Sequence, residues 1–143
     1  IKGGKLKDLH VFTDFLVVPE VLGTLCEVSL IGGVYRPAKK SVYGYLSRRS
    51  LKKMSFEYCF ISCEGISLDD GLMTYDEDAI SYAETLFSYS QSVVVMAHSK
   101  KFLQRAGVSY MPCHRAKMII TDEGLPEKEA ALFLQQGINL VRV

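Results

Sequence analysis

The sequence predicts an α/β domain built on a mostly parallel sheet. The first observation is a series of six short apolar runs of strand length: LHVFT (9–13), EVSLI (27–31), EYCFIS (57–62), VVVMA (93–97), KMIIT (117–121) and NLVRV (139–143). Several of these runs are almost continuously hydrophobic, as is typical of strands that are covered on both faces. The second observation is that helix-like segments lie between the runs. Strands that alternate with helices are joined by crossover connections, which predicts parallel pairing.

The helix with the strongest signal follows the sequence TYDE. Thr74 and Glu77 have the spacing of a capping box, and apolar residues then recur at helical period at Ala79, Ile80, Ala83, Leu86 and Phe87. The last helix is predicted to begin near Pro126, which suits a first helical position, and to stop at Gly137, which suits a left-handed cap.

Two shorter helices are predicted nearer the N-terminus. Residues 19–25 open with a proline, and residues 44–53 (GYLSRRSLKK) place Leu46 and Leu51 toward the interior. The segment 107–116 is less regular and predicts either a short strand or a loop. With 143 residues the chain is most economically one domain, with no internal repeat and no linker.

Composition restricts the function classes. No apolar run approaches the roughly 20 residues that span a bilayer, and the N-terminus lacks a signal-peptide pattern, so we expect a cytoplasmic protein without membrane contact. The net charge of +1 argues against a dedicated DNA-binding surface. The most basic run, Arg48, Arg49, Lys52 and Lys53, is best interpreted as a solvated helix face.

The four cysteines do not predict a metal site. Cys26 and Cys59 lie in apolar runs, where a thiol behaves as a small hydrophobe. Cys59 and Cys63 are four residues apart, but no second pair or histidine cluster completes a zinc pattern. We expect reduced thiols, no metal and no cofactor.

Small, polar and charged residues follow the predicted strands, and in an open parallel sheet ligands bind outside the carboxyl ends of the strands. These strand ends are Thr13-Asp14, Gly32-Gly33, Cys63-Glu64-Gly65, His98-Ser99-Lys100-Lys101 and Thr121-Asp122. A Gly-Gly pair allows close approach to the backbone, and lysine supplies a point charge for phosphate or carboxylate. Together these features predict a site for a small anionic metabolite.

Six segments follow one another in this order: LHVFTDFLVVPEVL, EVSLIGGVYR, SVYGYLSRRSL, FEYCFISCEGISLDDGLMT, VVVMAHSKKF and MIITDEGL. This ordered series resembles the C-terminal effector-sensing domain of DeoR-type bacterial transcriptional repressors. The resemblance spans nearly all of residues 1–143. It implies a Rossmann-like fold with helices on both faces of the sheet, shared with ribose-5-phosphate isomerase, glucosamine-6-phosphate deaminase and CoA transferases. It also implies binding of a phosphorylated sugar, which controls operator DNA binding by an N-terminal winged helix-turn-helix domain.

The resemblance further implies that this chain is a fragment. The helix-turn-helix domain and the first strand of the sensor domain are expected ahead of Ile1, so operator DNA would be bound outside the fragment. Members of the family commonly form tetramers, so a homo-oligomer is expected. An exposed sheet edge where the first strand belongs could pair with another chain.

The motifs of the family can be matched to this sequence one residue at a time. The Thr-Asn-Ser of the family falls on Thr13, Asp14 and Phe15, and its Asp-Ser-Ser-Lys-Phe falls on residues 98–102, where Lys101 is the shared lysine. His98 replaces the aspartate, which makes this edge more positive. The predicted ligand-binding residues are Thr13, Asp14, Gly32, Gly33, Glu64, Gly65, His98 and Lys101.

Among these residues, we expect Lys101 to contact the phosphate and Gly32 and Gly33 to offer backbone amides. Thr13 would donate its hydroxyl, and His98 would add a pH-dependent contact. The competing interpretations are a surface cation for Lys101, a solvent-facing turn residue for His98 and turn geometry alone for the two glycines.

Two other functions stay open at this point. A sugar-phosphate isomerase or deaminase needs a carboxylate base, for which Glu64 and Asp78 are the candidates near this edge. A module that only mediates oligomerisation would need exposed aromatic side chains, and the candidates are Tyr43, Tyr45, Tyr89 and Phe133.

Overall fold

The computed structural model describes residue 6 and residues 8–143. The chain divides into two compact units, residues 1–54 and residues 55–143, and each unit is described by itself. The expectations that concern the N-terminal boundary at Ile1 and a strand ahead of it lie outside the described residues.

The described residues of the first unit form two small sheets and two short α-helices. Its elements are β1 (His10–Thr13), α1 (Val17–Leu22), β2 (Glu27–Leu30), β3 (Val34–Arg36), β4 (Ser41–Tyr43) and α2 (Tyr45–Leu51). Strands β1 and β2 pair in parallel, with His10 opposite Glu27 and Thr13 opposite Leu30. Strands β3 and β4 form an antiparallel hairpin around a 3₁₀ turn at Pro37–Lys39.

The second unit is a four-stranded parallel sheet with a three-stranded antiparallel addition. Its elements are β5 (Phe56–Ile61), β6 (Gly65–Ser67), β7 (Gly71–Thr74), α3 (Glu77–Ser88), β8 (Ser90–Met96), β9 (Val108–Met111), β10 (Met118–Thr121), α4 (Glu127–Gln135) and β11 (Leu140–Arg142). The parallel sheet has the order β11-β10-β8-β5, and the antiparallel sheet has the order β6-β7-β9. The α/β fold with a mostly parallel sheet is therefore confirmed.

The core of this unit lies on one face of the parallel sheet. One row of side chains crosses all four strands in register, formed by Ile61, Val95, Ile119 and Leu140. Side chains from α3 and α4 pack into the same cluster, among them Phe87 and Phe133. Burial of a large apolar side chain contributes about 1.5–3 kcal/mol, so this face is the main stabilising feature of the unit.

Some of the predicted helix and strand boundaries agree with the structure, and others differ by a few residues. Helix α4 follows Pro126, and Gly137 has the left-handed φ of 75° that the sequence predicted for its C-terminal end. The segment 107–116 contains strand β9 and a 3₁₀ turn at Cys113–Arg115. Helix α1 begins two residues before Pro19 and ends at Leu22, three residues short of the predicted Leu25.

Two predictions about side-chain placement are wrong. Leu51 of α2 is fully buried, but Leu46 is 62% exposed, because the helix has only two turns and its inward face is formed by Ser47 and Leu51. Of the aromatic residues considered for exposed contacts, Tyr43 and Phe133 are buried in the core instead.

The predicted capping box at Thr74 is also wrong. The N-terminal cap of α3 is Asp76, whose Oδ1 accepts a hydrogen bond from the backbone N–H of Ala79 at 3.3 Å. The Thr74 hydroxyl instead donates to Glu64 Oε2 at 2.9 Å. An aspartate one residue before the helix competes better than a threonine three residues before it, because it reaches the N3 amide directly.

Replacement of Asp76 by alanine is expected to lower the free energy of unfolding by about 1 kcal/mol, since the N3 amide loses its acceptor. Urea unfolding followed by circular dichroism measures this change. Asp76→Asn is the matched control, because asparagine caps helices about as well as aspartate. Equal losses in both variants would show that the carboxylate charge matters rather than the capping bond.

Candidate functional site

The carboxyl ends of β5, β8 and β10 bring three polar residues to one edge of the parallel sheet. Glu64, His98 and Asp122 each lie three positions beyond the row formed by Ile61, Val95 and Ile119 in their strands. The Ala97 amide still bonds to the Ile120 carbonyl at 3.0 Å, so β8 and β10 stay in contact up to the loops. The predicted edge therefore exists within the second unit.

Asp122 joins two of these loops through its carboxylate. Oδ2 accepts from the backbone N–H of Ser99 at 2.7 Å, and Oδ1 accepts from the backbone N–H of Gly124 at 2.9 Å. The hydrogen bonds from the Ser99 backbone and hydroxyl, helped by the Gly124 amide and by His98, lower the pKa of Asp122 to about 2. Asp122 is thus an anion at all physiological pH values and fixes the position of the segment after β8.

His98 turns the chain into the 3₁₀ segment Ser99–Leu103. Its Nδ1 accepts from the Lys100 backbone N–H at 3.2 Å and lies 3.5 Å from Asp122 Oδ2. Because Nδ1 acts as an acceptor, the proton of the neutral ring is placed on Nε2. The side chain is 60% exposed, so the Nε2–H donor is accessible at this edge.

Lys101 lies in the same 3₁₀ segment and is half-buried, whereas the neighbouring Lys100 is exposed. The Lys101 amide donates to the His98 carbonyl at 2.8 Å, which fixes its backbone. Burial raises the pKa of the Cys63 thiol to about 12, while the nearby Lys101 ammonium acts to lower it. The charge of Lys101 therefore acts on Cys63, the last residue before Glu64.

Glu64 and Gly65 have structural roles in the loop after β5. Glu64 Oε2 accepts from the Thr74 hydroxyl at 2.9 Å and from the Tyr75 backbone N–H at 2.7 Å. A Cβ atom at Gly65 would lie 2.5 Å from the Gln104 carbonyl oxygen, so only glycine allows this backbone approach. Both residues hold the antiparallel addition against the parallel sheet.

The first unit carries the other four predicted residues at the carboxyl ends of β1 and β2. The Ile31 amide donates to the Thr13 carbonyl at 2.7 Å, which places Thr13 and Asp14 beside the turn at Gly32-Gly33. Thr13 is buried, and its hydroxyl accepts from the Phe15 amide at 3.1 Å. Burial raises the pKa of Asp14 above its usual value, with its own backbone amide acting in the opposite direction.

The two glycines of this turn differ in their surroundings. At Gly33 a Cβ atom would lie 2.4 Å from the Ser47 hydroxyl and 3.0 Å from the Tyr43 backbone, so this glycine is required by packing. At Gly32 no atom lies within 4 Å of the added Cβ, although its carbonyl accepts from the Ser47 hydroxyl at 2.8 Å. Gly32 is therefore the glycine whose open side can face a ligand.

The eight predicted residues thus fall into two groups of four, one in each unit. Within the second unit the structure adds residues that the sequence prediction left out, namely Ser99, Asp122 and Gly124. Asp122 was visible as a strand end in the sequence, but it is not among the predicted ligand-binding residues. Its function in the structure is to orient backbone amides.

A separate cavity of about 580 Å³ opens beside α4 and β11 and is lined by Glu123, Glu127, Ala130, Leu134, Leu140 and Arg142. Arg142 is the cation of this cavity, and it pairs with Glu127 at 2.5 Å and donates to the Leu125 carbonyl at 3.3 Å. Because this cation is neutralised and two acids line the opening, the cavity does not suit an anionic ligand.

Among the described residues, no group of three His, Cys, Asp or Glu side chains is arranged to hold a metal ion. Burial raises the pKa of the Cys113 thiol to about 11, as it does for Cys63, so both thiols are protonated at neutral pH. None of the helices in the described part of the chain is long and apolar enough to cross a membrane.

The fold and the strand ends define a class of protein: an α/β domain of Rossmann-like type with polar loops at the carboxyl edge of a parallel sheet. The family model for the DeoR C terminal sensor domain matches residues 4–123. The chain therefore belongs to the DeoR family of transcriptional regulators.

Three relatives illustrate the range of the family. The chain is 26% identical over 117 residues to a putative aga operon transcriptional repressor of Escherichia coli O157:H7. It is 28% identical over 138 residues to an uncharacterized HTH-type transcriptional regulator of Haemophilus influenzae. It is 32% identical over 116 residues to a putative sgc region transcriptional regulator of Escherichia coli K12. The alignments cover 82%, 95% and 80% of the chain and 44%, 54% and 44% of the relatives. The chain thus spans about half the length of these relatives.

Proposed function

We propose that this chain is the ligand-sensing domain of a DeoR-type regulator and that it binds a phosphorylated sugar or a similar small anionic metabolite. Binding shifts an equilibrium between conformations or subunit arrangements, and a helix-turn-helix domain elsewhere in the protein changes its affinity for operator DNA. The regulator acts in the cytoplasm, without a cofactor and as a homo-oligomer.

The observation that carries this proposal is the fixed position of Lys101. Its segment is held by the carboxylate of Asp122, which accepts from the Ser99 amide at 2.7 Å, and by the bond from its own amide to His98. A half-buried lysine at the carboxyl edge of a parallel sheet provides a point charge for a phosphate group. The accessible Nε2–H of His98 supplies a second donor on the same segment.

The first unit carries predicted ligand contacts of its own at the carboxyl ends of β1 and β2. Gly32 has open space on its Cβ side, so a ligand can approach the backbone there. Burial raises the pKa of Asp14 above its usual value, and its carboxylate accepts a hydrogen bond from a sugar hydroxyl. Thr13 contributes mainly by holding the turn, since its hydroxyl already accepts from the Phe15 amide.

An enzymatic function has less support. Glu64 Oε2 already accepts two hydrogen bonds from the loop before α3, which makes it a structural acceptor. Asp78 lies exposed in the first turn of α3, where an acid complements the helix dipole. Membership in a family of transcriptional regulators agrees with a role in sensing, and fold kinship with isomerases is only an analogy for activity.

Isothermal titration calorimetry with a panel of sugar phosphates and the matching unphosphorylated sugars tests the proposal. We expect at least one phosphorylated member to bind at least about tenfold more tightly than its unphosphorylated form, because a charged hydrogen bond contributes about 1.5–3 kcal/mol. Equal affinity for the two forms, or turnover of any sugar phosphate, would refute it.

Gly32→Ala tests the contribution of the first unit. The substitution is expected to leave the free energy of unfolding within about 0.5 kcal/mol, since no atom lies near the added methyl group. It is expected to weaken binding of the phosphorylated ligand by roughly fivefold or more, which corresponds to about 1 kcal/mol of lost contact. Unchanged affinity in a stable Gly32→Ala variant would show that this turn does not bind the ligand.

A further inference from the structure

The charges of this chain are strongly segregated, although its net charge is only +1. Residues 28–56 contain seven Lys or Arg side chains and no Asp or Glu. The rest of the chain therefore has ten cations against all sixteen acids. The near-neutral total, which suggested that DNA is left to another domain, is an average over a basic segment and an acidic remainder.

Helix α2 presents this basic charge on one face. Its inward face is formed by Ser47 and Leu51, both fully buried. Tyr45, Arg49 and Lys52 follow one another at intervals of four and three residues, and all three are exposed on the opposite side. Tyr45 is 66% exposed, so an aromatic ring lies at the start of the cationic row.

The cations at the end of this helix are not neutralised by neighbouring acids. Within the part of the chain that the structure describes, Arg48, Arg49, Lys52 and Lys53 form no ion pair. Their position in and after the last turn complements the helix dipole and stabilises α2. Stabilisation of the helix dipole does not explain why residues 28–56 contain seven cations and no acid.

We propose that the outward face of α2, formed by Tyr45, Arg49, Lys52 and Lys53, is a binding site for the phosphate backbone of double-stranded DNA. Phosphate contacts use both lysine and arginine and carry no sequence information. An acidic protein surface is a poorer match, because lysine is depleted at protein interfaces, and four of the seven cations are lysines. The chain belongs to a family of transcriptional regulators, so DNA is the polyanion that the whole protein meets.

Such a site adds affinity without adding specificity. It strengthens binding to any duplex to a similar degree, while base recognition belongs to the helix-turn-helix domain. Each neutralised phosphate releases counterions, so the contribution falls steeply as salt rises. This property is independent of the sensing function, because the residues of α2 are not among those proposed to hold the metabolite.

Fluorescence anisotropy with a labelled duplex of arbitrary sequence tests the proposal on this chain. At about 50 mM salt we expect binding, with a log–log salt slope of roughly −2.5 to −3 for about three phosphates neutralised by Arg49, Lys52 and Lys53. The double variant Arg49→Glu, Lys52→Glu is expected to lose at least about tenfold in affinity, and Arg49→Gln, Lys52→Gln a smaller amount in the same direction.

The matched control is the double variant Lys100→Glu, Lys128→Glu, which changes the net charge equally at exposed positions of the second unit. It is expected to stay within about threefold of the parent, since long-range repulsion is largely screened beyond a Debye length. No duplex binding at low salt, an equal loss in the control, or salt-dependent self-association in place of DNA binding would overturn the proposal. Sugar-phosphate affinity measured on the same variants separates this outcome from failure of the sensing function.

Discussion

Lys101→Ala is expected to weaken binding of the phosphorylated ligand by about tenfold to a hundredfold. A charge-assisted hydrogen bond to phosphate contributes about 1.5–3 kcal/mol, and each 1.4 kcal/mol is a factor of ten in affinity. The loss is expected to be specific for the phosphate, so the weak affinity for the unphosphorylated sugar stays unchanged. Titration calorimetry of the parent and the variant with both forms of the ligand measures this difference.

Lys100→Ala is the matched control, because it removes the same charge one residue earlier. Lys100 is exposed and belongs to the solvent side of the 3₁₀ segment, whereas Lys101 is half-buried. We expect Lys100→Ala to change affinity less than about threefold, as befits a screened surface charge. If both variants lost affinity equally, the ligand would sense only the overall charge of the loop, and the specific role of Lys101 would be wrong.

The strands of the parallel sheet were predictable because they are almost continuous apolar runs, although the face opposite the core is only partly buried, with Phe60 57% and Met96 47% exposed. The run VVVMA contains the C-terminal part of β8, and the run KMIIT contains β10, since apolar runs of this length have few alternatives. The order of the sheet does not follow from the runs themselves. Pairing of β5 with β8 rather than with an earlier strand depends on contacts between distant residues.

Most antiparallel strands were missed because they have only three or four residues, whereas β9 lies in the segment 107–116, for which a short strand or a loop was predicted. Strands β3 and β4 are joined by a turn in which Lys40 takes a left-handed φ of 48°. The position has no glycine or asparagine, the residues that usually indicate such a conformation in a sequence. Strand β6 begins directly after Glu64, so the sequence pattern there predicts a continuing turn and not a strand. Such elements are specified by packing and by turn geometry more than by periodicity.

The candidate site was predictable at the level of strand ends but not of individual roles. The rule for parallel sheets correctly brought His98 and Asp122 together, and these side chains lie 3.5 Å apart. The close approach of the Gln104 backbone to Gly65 involves residues 39 positions apart, so no local pattern reveals it. Whether a glycine serves a ligand or a neighbouring backbone is decided by tertiary contacts.

Asp122→Asn is expected to weaken binding of the phosphorylated ligand by roughly tenfold. This loss is expected although the substitution removes a negative charge near the anion. Asparagine retains one oxygen acceptor and replaces the other by an NH₂ group, so either the Ser99 or the Gly124 amide loses its partner. The segment that carries His98 and Lys101 then loses its fixed position. Faster hydrogen exchange at the Ser99 amide, measured together with ligand affinity, would link the two effects.

The same substitution has a defined pH dependence. The pKa of Asp122 is about 2 in the folded protein and is lowered from its ordinary value of 3.8, so the ionised form stabilises the native state above pH 3.8. This contribution is lost as the pH falls from 3.8 toward 2. The stability difference between the parent and Asp122→Asn, measured by urea unfolding, is therefore expected to be full at pH 6 and to shrink near pH 2.

Glu123→Gln is the appropriate control for both measurements. It removes a carboxylate from the adjacent exposed position, which accepts no hydrogen bond in the described part of the structure. We expect it to change neither the Ser99 exchange rate nor the shape of the pH profile. If Asp122→Asn instead tightened the ligand, the negative charge would be acting directly against the anion. Its hydrogen bonds to the two loops would then matter less for binding than its repulsion of the phosphate.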